Sequence, residues 1–242
     1  MIDERATITI DPRFCGPEDS GNGGYVCGLV AGGLDGGPGG PAVAVTLRVP
    51  PPLATPLELA RDGARATLRH GDTLVAEAAQ AELGVEPVEP VSATRAEAAE
   101  ADYPGLHTHP FPRCFVCGPA RDRGDGLALR PGRLADGSGR TACTWTPDPT
   151  LADDRGTVPP ELVWAALDCP GGWSAEIEGR PMVLGRMTAR IADVPAVGER
   201  CVVMGRLLGG EGRKTWTAST VYGDGGRELG RAHATWIAIT PG

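Results

Sequence analysis

The chain has 242 residues, enough for one large domain or for two domains of roughly 120 residues each. Its 23 basic and 31 acidic residues give a net charge of −8, and no block of five like charges occurs, which argues against nucleic acid as a partner. The N-terminus lacks the apolar core of a signal peptide, and no run approaches the ~18 apolar residues of a membrane span, so we expect a cytoplasmic protein without a membrane partner.

The N-terminal half is predicted to contain a strand, a helix and then further strands. Residues 6–10 alternate between apolar and polar side chains, and residues 24–34 form an apolar segment of helical length. Strand patterns follow at residues 42–49, 56–69 and 73–83. We therefore predict a first structural repeat over residues 1–90.

A linker and a second repeat are predicted after this point. The stretch Glu-Pro-Val-Glu-Pro at residues 86–90 leads into an Ala- and Glu-rich segment, and we predict a linker over residues 91–112. The remaining residues, 113–242, show the same order of signals, with a strand at 141–146, a helix from about Pro159, and strands at 182–192, 199–209, 213–222 and 228–239. The chain therefore contains two predicted copies of one unit.

A short local alignment supports the repeat. "TLRVPPPLATPLEL" at residues 46–59 aligns with "TARIADVPAVGERC" at residues 188–201, with Thr, Arg and a β-branched residue in step at a constant offset of 142. A helix followed by long antiparallel strands favours an α+β fold. We predict two antiparallel sheets, each wrapped around a central helix.

The C-terminal half also contains the motifs of a known family. Cys-Phe-Val-Cys-Gly-Pro at residues 114–119 is followed by Gly-Leu-Ala-Leu at residues 126–129. On these residues the half resembles the hotdog-fold thioesterases of the PaaI-like group, whose central helix begins with His-Gly-Gly and has a catalytic Asp nine residues after the His. The resemblance aligns Asp168 with the catalytic Asp, and aligns Pro159-Pro160-Glu161 with His-Gly-Gly.

The N-terminal half has the opposite pattern. Its helix, "NGGYVCGLVA", keeps Asn22, Gly23 and Gly24 at the motif but has Ala31 at the Asp position. The resemblance implies a tandem (double) hotdog with the layout of double-hotdog acyl-CoA thioesterases, in which the two central helices lie side by side. It implies one intact centre, where Asn22, Gly23 and Gly24 face Asp168, and one blank centre on the opposite side.

The implied chemistry needs an oxyanion donor and a base. N–H groups in the first turn of a helix are unpaired and lie at the positive end of its dipole, so Gly23 and Gly24 are the candidate donors. Asp168 is the candidate general base or nucleophile, and the sequence leaves both routes open. The alternative for Asp168 is a capping or salt-bridged carboxylate near the helix end, because Pro170 cannot continue a helix. Glu161 is a reserve catalytic residue, with helix-dipole stabilisation as its alternative role.

The cysteines raise the question of a metal. Seven of them, an odd number spread along the chain, indicate free thiols in a reducing compartment. His107, His109, Cys114 and Cys117 have the ligand types and the Cys spacing of a zinc site. We favour packing instead, because a buried free Cys behaves as a small hydrophobe and this Cys pair belongs to the family opening. We expect no metal and no cofactor, with coenzyme A only as part of the substrate.

The sequence therefore predicts hydrolysis of an acyl-CoA-type thioester at one centre per chain. The alternative is a catalytically inactive hotdog protein that binds acyl-CoA or another acyl or aromatic ligand, because the motif is incomplete in each half. A hydratase or dehydratase on the same fold is a third option, which we rank below these two. The expected partners are a small-molecule acyl thioester and, by analogy, a second copy in a homodimer. Acyl length and the choice between CoA and a carrier protein stay open.

Overall fold

The computed structural model describes residues 4–122 and 124–239. In chain order, the strands and helices are β1 (Glu4–Thr9), α1 (Gly23–Gly32), β2 (Val43–Leu47), β3 (Pro56–Asp62), β4 (Arg65–His70), β5 (Thr73–Gln80), α2 (Ala93–Ala99), β6 (Gly132–Arg133), β7 (Arg140–Trp145), α3 (Pro160–Ala166), α4 (Cys169–Ser174), β8 (Met182–Ile191), β9 (Cys201–Glu211), β10 (Lys214–Tyr222) and β11 (Glu228–Ala238). No helix in this part of the chain is long and apolar enough to cross a membrane.

The strands form one antiparallel sheet with an internal repeat. Their order is β1-β3-β4-β5-β2-β8-β11-β10-β9-β7-β6. Apart from the short β6, the order read from the β1 edge is β1-β3-β4-β5-β2, and the order read from the opposite edge is β7-β9-β10-β11-β8. The second order is the first with each strand number raised by six. The two predicted sheets are therefore joined edge to edge, through antiparallel pairing of β2 with β8. The α+β fold with two copies of one unit is confirmed.

The junction between β2 and β8 shows how the two halves are related. Three of the four consecutive residue pairs that cross it are Val45 with Met187, Ala44 with Thr188, and Thr46 with Arg186. Adding the offset of 142 to residue 45 gives 187, so the first pair joins equivalent residues. The same offset relates Ala44 to Arg186 and Thr46 to Thr188, so it exchanges the other two pairs with each other. A pseudo-twofold axis therefore passes between Val45 and Met187.

Helices α1 and α3 pack against each other at very short range. A Cβ atom added to Gly24 would lie 2.7 Å from the carbonyl oxygen of Trp164, and one added to Gly28 would lie 2.6 Å from Cα of Glu161. The start of α1 thus meets the end of α3, and the two helices run antiparallel. Because α1 also packs against β2, β5 and β8, it is apolar on nearly all sides.

The second central helix ends near Asp168, and a short helix that the sequence did not predict follows it. Helix α3 ends at Ala166 and α4 starts at Cys169, so Asp168 lies at the break. Pro170 has no backbone N–H and cannot continue the helical bonding. The hydroxyl of Ser219 donates to the carbonyl oxygen of Leu167, which satisfies an acceptor at the break.

Two further elements differ from the prediction. Residues 56–69 form two strands, β3 and β4, because Gly63 turns the chain with a φ of +56°. The predicted linker contains helix α2, whose N-cap Ser92 accepts from the N–H of Arg95. Ala96 and Ala99 of α2 pack with residues on the sheet face opposite the central helices. This segment thus covers part of the sheet of the C-terminal half.

Candidate active site

Asp168 is buried where the break between α3 and α4 meets the start of α1. Only 3% of the surface of this residue is exposed to solvent. Oδ2 accepts hydrogen bonds from Nδ2 of Asn22 at 2.9 Å and from the N–H of Gly24 at 3.0 Å. Oδ1 is also buried but has no hydrogen-bond partner in the described part of the chain. Since buried polar atoms are normally paired, the free Oδ1 marks a candidate functional atom.

Asn22 is oriented by its role at the start of α1. Its Oδ1 accepts from the N–H of Tyr25 at 2.9 Å, which is the N-cap interaction of this helix. Because the amide oxygen is used in the cap, the amide nitrogen is the group that reaches Asp168. The cap therefore fixes both the helix start and the donor to the carboxylate.

Gly23 and Gly24 have different roles, although the sequence analysis treated both as oxyanion donors. The N–H of Gly24 is bonded to Asp168, so Gly24 holds the carboxylate and is not a free donor. The N–H of Gly23 has no acceptor among residues 4–122 and 124–239. Gly23 also lines the cavity beside Asp168. It is therefore the remaining first-turn donor for a negatively charged oxygen.

The environment of Asp168 changes its acidity. Burial raises the pKa of Asp168 to about 7. The hydrogen bonds from Gly24 and Asn22 lower the pKa and only partly offset this effect. A carboxyl group with this pKa is present in both protonation states near neutral pH. It can therefore accept a proton and release it again within one reaction cycle.

A cavity of about 430 Å³ lies beside the carboxylate. This volume falls in the range of roughly 300–1,000 Å³ that is typical of small-molecule sites. Its apolar lining includes Leu47, Phe111, Trp173, Ile177, Met182, Leu184 and Trp236. Arg213 and Arg48, whose guanidinium is ion-paired with Glu77, also line it. The cavity thus combines an apolar wall, a buried carboxylate and guanidinium groups that suit anions.

Comparison with known proteins identifies the fold. No family model and no curated protein matches the sequence. A proposed thioesterase from Novosphingobium aromaticivorans has a TM-score of 0.65 at 17% identity, covering 98% of this chain and 96% of that chain. A TesB protein from Mycobacterium avium subspecies paratuberculosis has a TM-score of 0.64 at 13% identity, covering 99% and 96%. A hotdog-fold protein from Alicyclobacillus acidocaldarius has a TM-score of 0.64 at 13% identity, covering 100% and 96%.

The chain has a double hotdog fold. The tandem arrangement predicted from the sequence is therefore confirmed over the whole chain. At identities this low, the comparison establishes the fold of the double hotdog and not its reaction.

Glu161, the reserve residue, is not part of the same cavity. It lines a smaller cavity of about 170 Å³ together with Tyr25 and Pro159. Burial raises the pKa of Glu161, with a smaller contribution from the charge of Asp153. Ala31, the counterpart of Asp168 in the N-terminal half, is fully buried and lines neither cavity. The two carboxylates on this segment are therefore separated into different environments.

A cysteine cluster adjoins Asp168, and it differs from the set singled out in the sequence. The Sγ atoms of Cys114, Cys117 and Cys169 lie within 4.8 Å of one another, and all three residues are buried. His109 contacts this cluster, with Nε2 at 3.4 Å from Sγ of Cys117. His107 is exposed and lies outside it. Hydrogen bonds from the other two thiols hold the pKa of Cys114 well below its usual value.

Cys169 was missed in the sequence analysis, as was Trp173 beside it. Trp173 is almost completely buried, lines the cavity and donates its indole N–H to Sγ of Cys117 at 3.4 Å. The available signal was the residue type, since Cys169 directly follows the candidate catalytic Asp168. Its distance in sequence from Cys114 gives no metal-ligand spacing that a pattern search would recognise.

Proposed function

We propose that this double hotdog hydrolyses an acyl-CoA-type thioester at a single centre formed by Asp168 and the start of α1. The observation that most supports the proposal is the asymmetric use of the Asp168 carboxylate. Oδ2 is fixed by Asn22 and Gly24, and Oδ1 is left without a partner in the described part of the chain. A base or nucleophile needs one held oxygen for orientation and one open oxygen for chemistry.

The proposed reaction adds the oxygen of water to the thioester carbonyl carbon and breaks the C–S bond. Oδ1 of Asp168 either accepts a proton from the attacking water or attacks the carbonyl itself to form an anhydride that water then cleaves. In both routes the products are a carboxylic acid and a thiol. The negative charge that develops on the carbonyl oxygen would be stabilised by the N–H of Gly23 at the start of α1.

The cavity supports an acyl thioester as the substrate class. An acyl group fits the apolar wall formed by side chains such as Trp173, Met182 and Leu184. Arg48 and Arg213, which line the same cavity, offer guanidinium groups for the phosphates of coenzyme A. These features support the class of substrate but not a particular acyl length.

A thiol-release assay on short, long and aromatic acyl-CoAs tests the proposal. We expect Asp168→Asn to lower turnover by roughly 10²–10⁴-fold, because it removes the proton acceptor while preserving the shape of the side chain. The amide oxygen of the variant can still accept from Asn22 and Gly24, so the fold should be retained. Glu161→Gln is the matched control, since it also removes a partly buried carboxylate, and it should keep turnover close to wild type.

Two outcomes would contradict the proposal. Wild-type turnover in Asp168→Asn would show that this carboxylate is not part of the reaction. Tight binding of acyl-CoA by the wild type without thiol release on any substrate in the panel would instead favour a non-catalytic acyl-binding protein.

A further inference from the structure

We propose that Cys114, Cys117 and Cys169 bind one zinc ion through their three thiolates, with the fourth coordination position open to the cavity. Within residues 4–122 and 124–239, they are the one group of three or more His, Cys, Asp or Glu residues whose ligand atoms lie this close together. The site goes beyond the proposed hydrolysis, which needs no metal, and revises the expectation that the Cys pair serves only for packing.

The spacing of the sulfur atoms fits a tetrahedral ion. A zinc ion with Zn–S bonds of about 2.3 Å places neighbouring sulfurs about 3.8 Å apart. The Sγ atoms of Cys114 and Cys169 are 3.7 Å apart, and all three sulfurs lie within 4.8 Å of one another. The cysteines come from two segments, the loop that contains Cys114 and Cys117 and the start of α4. A metal would therefore join that loop to α4.

N–H groups surround the sulfurs as they surround metal-bound thiolates. The indole N–H of Trp173 donates to Sγ of Cys117 at 3.4 Å. The side-chain amide of Asn22 donates to Sγ of Cys114 at 3.9 Å. Hydrogen bonds of this kind offset negative charge on thiolate ligands and orient them toward the metal. Three thiols packed for apolar burial alone would not need such donors.

His109 completes this outer layer and does not act as the fourth ligand. Its Nδ1 accepts from the N–H of Phe111 at 2.9 Å, so Nε2 carries the proton and donates to Cys117 at 3.4 Å. A protonated Nε2 has no lone pair for a metal. The group within 4.8 Å also excludes the carboxylate of Asp168.

The site therefore has three protein ligands and one open position. All three cysteines line the cavity beside Asp168, so an exogenous ligand can reach the fourth position. Three protein ligands with one exchangeable ligand are typical of zinc sites that interact with small molecules, whereas structural sites use four. Thiolate ligands select zinc over hard cations such as magnesium or calcium.

Cobalt substitution tests the site without relying on turnover. The full chain is reduced, stripped of metal and titrated with Co²⁺ under anaerobic conditions. We expect a thiolate-to-cobalt charge-transfer band that saturates at one equivalent and disappears when Zn²⁺ is added. Zinc analysis of the protein purified without chelators should likewise approach one ion per chain.

Matched variants assign the ligands. Cys169→Ser and Cys117→Ser should lose the charge-transfer band, and Trp173→Phe should weaken cobalt binding roughly 10–100-fold, because it removes only an outer N–H donor. Cys201→Ser is the control, because Cys201 is equally buried but lies outside the cluster. Circular dichroism and thermal unfolding confirm that each variant is folded.

The result is separable from the proposed hydrolysis. Asp168→Asn should bind Co²⁺ as the wild type does, even where its turnover is lost. Absence of the band in the reduced wild type, or an unchanged band in Cys169→Ser, would overturn the metal site and leave the role of Asp168 unaffected.

Discussion

The close contact between α1 and α3 leads to a sharp prediction for Gly24→Ala. The new Cβ would lie 2.6 Å from Cβ of Asp168, 2.7 Å from the carbonyl oxygen of Trp164 and 3.1 Å from Cα of Ala165. Two of these atoms are backbone and cannot move without shifting the whole of α3. The helices must therefore separate, and this separation also stretches the bond from the N–H of Gly24 to Asp168.

Three contributions set the change in the free energy of unfolding: one stabilises the variant and two destabilise it. Replacing a helical Gly by Ala normally stabilises by about 0.5–1 kcal/mol. Overpacking costs about 1–3 kcal/mol, and weakening a hydrogen bond to a buried carboxylate adds up to about 3 kcal/mol. The middle of each range gives a net loss of roughly 3 kcal/mol for Gly24→Ala. Gly32→Ala on the same helix meets nothing within 4 Å, so only the gain of up to about 1 kcal/mol applies there.

Thermal unfolding of the two variants distinguishes these effects. For a chain of this size, each kcal/mol shifts the Tm by about 2–4 °C. Gly24→Ala should therefore melt about 6–12 °C below wild type, and Gly32→Ala should melt at or up to about 4 °C above it. Equal Tm values for the two variants would refute the tight helix contact.

Three further substitutions test other parts of the site. Asn22→Ser keeps the cap but loses the donor to Asp168, so it should lower thiol release at a smaller stability cost than Asn22→Ala, which also loses a cap worth about 0.5–2 kcal/mol. Ala31→Asp places an unpaired carboxylate in the core and should lower the unfolding free energy by about 3–5 kcal/mol without adding a second active centre. Tyr103→Phe removes the O–H that bonds to the carbonyl oxygen of Cys117 and should cost about 1–3 kcal/mol in urea unfolding. Equal stability of the two Asn22 variants would contradict the N-cap. An unchanged unfolding free energy in Ala31→Asp would contradict the burial of Ala31, and an unchanged value in Tyr103→Phe would contradict the bond to Cys117.

Much of the fold was readable from periodicity, because strands and buried helices leave direct signals in the sequence. The offset of 142 between the repeats reappears as the pairing of Val45 with Met187 across the junction. The motif alignment of the helices is also consistent with the structure, since Asn22 and Pro159 are the N-caps of α1 and α3. The strand at 56–69 was predicted too long because its Asp-Gly turn at Gly63 was overlooked.

The details of the site depend on contacts that one sequence does not encode locally. The N–H of Gly24 bonds to Asp168 because α1 and α3 approach each other closely. Sequence periodicity does not reveal this distance. The addition of Cys169 to the cysteine pair likewise depends on a tertiary contact between α4 and the loop at residues 114–119. Asp102 and His107, which carry a carboxylate and an imidazole five residues apart, are both exposed, and neither lines the cavity.

The two halves of this double hotdog have kept different local structures, and the proposed centre needs one from each. Asn22 caps α1 with a side chain that can also donate to a carboxylate, whereas its counterpart Pro159 makes no side-chain cap bond in α3. Asp168 lies at a helix break, whereas its counterpart Ala31 lies in the last turn of the continuous α1. The donors to Asp168 come from Asn22 and Gly24 at the start of α1, whereas α3 starts with Pro159 and Pro160, which have no N–H. The carboxylate of the C-terminal half and the donors of the N-terminal half therefore explain why a single centre is expected in each chain.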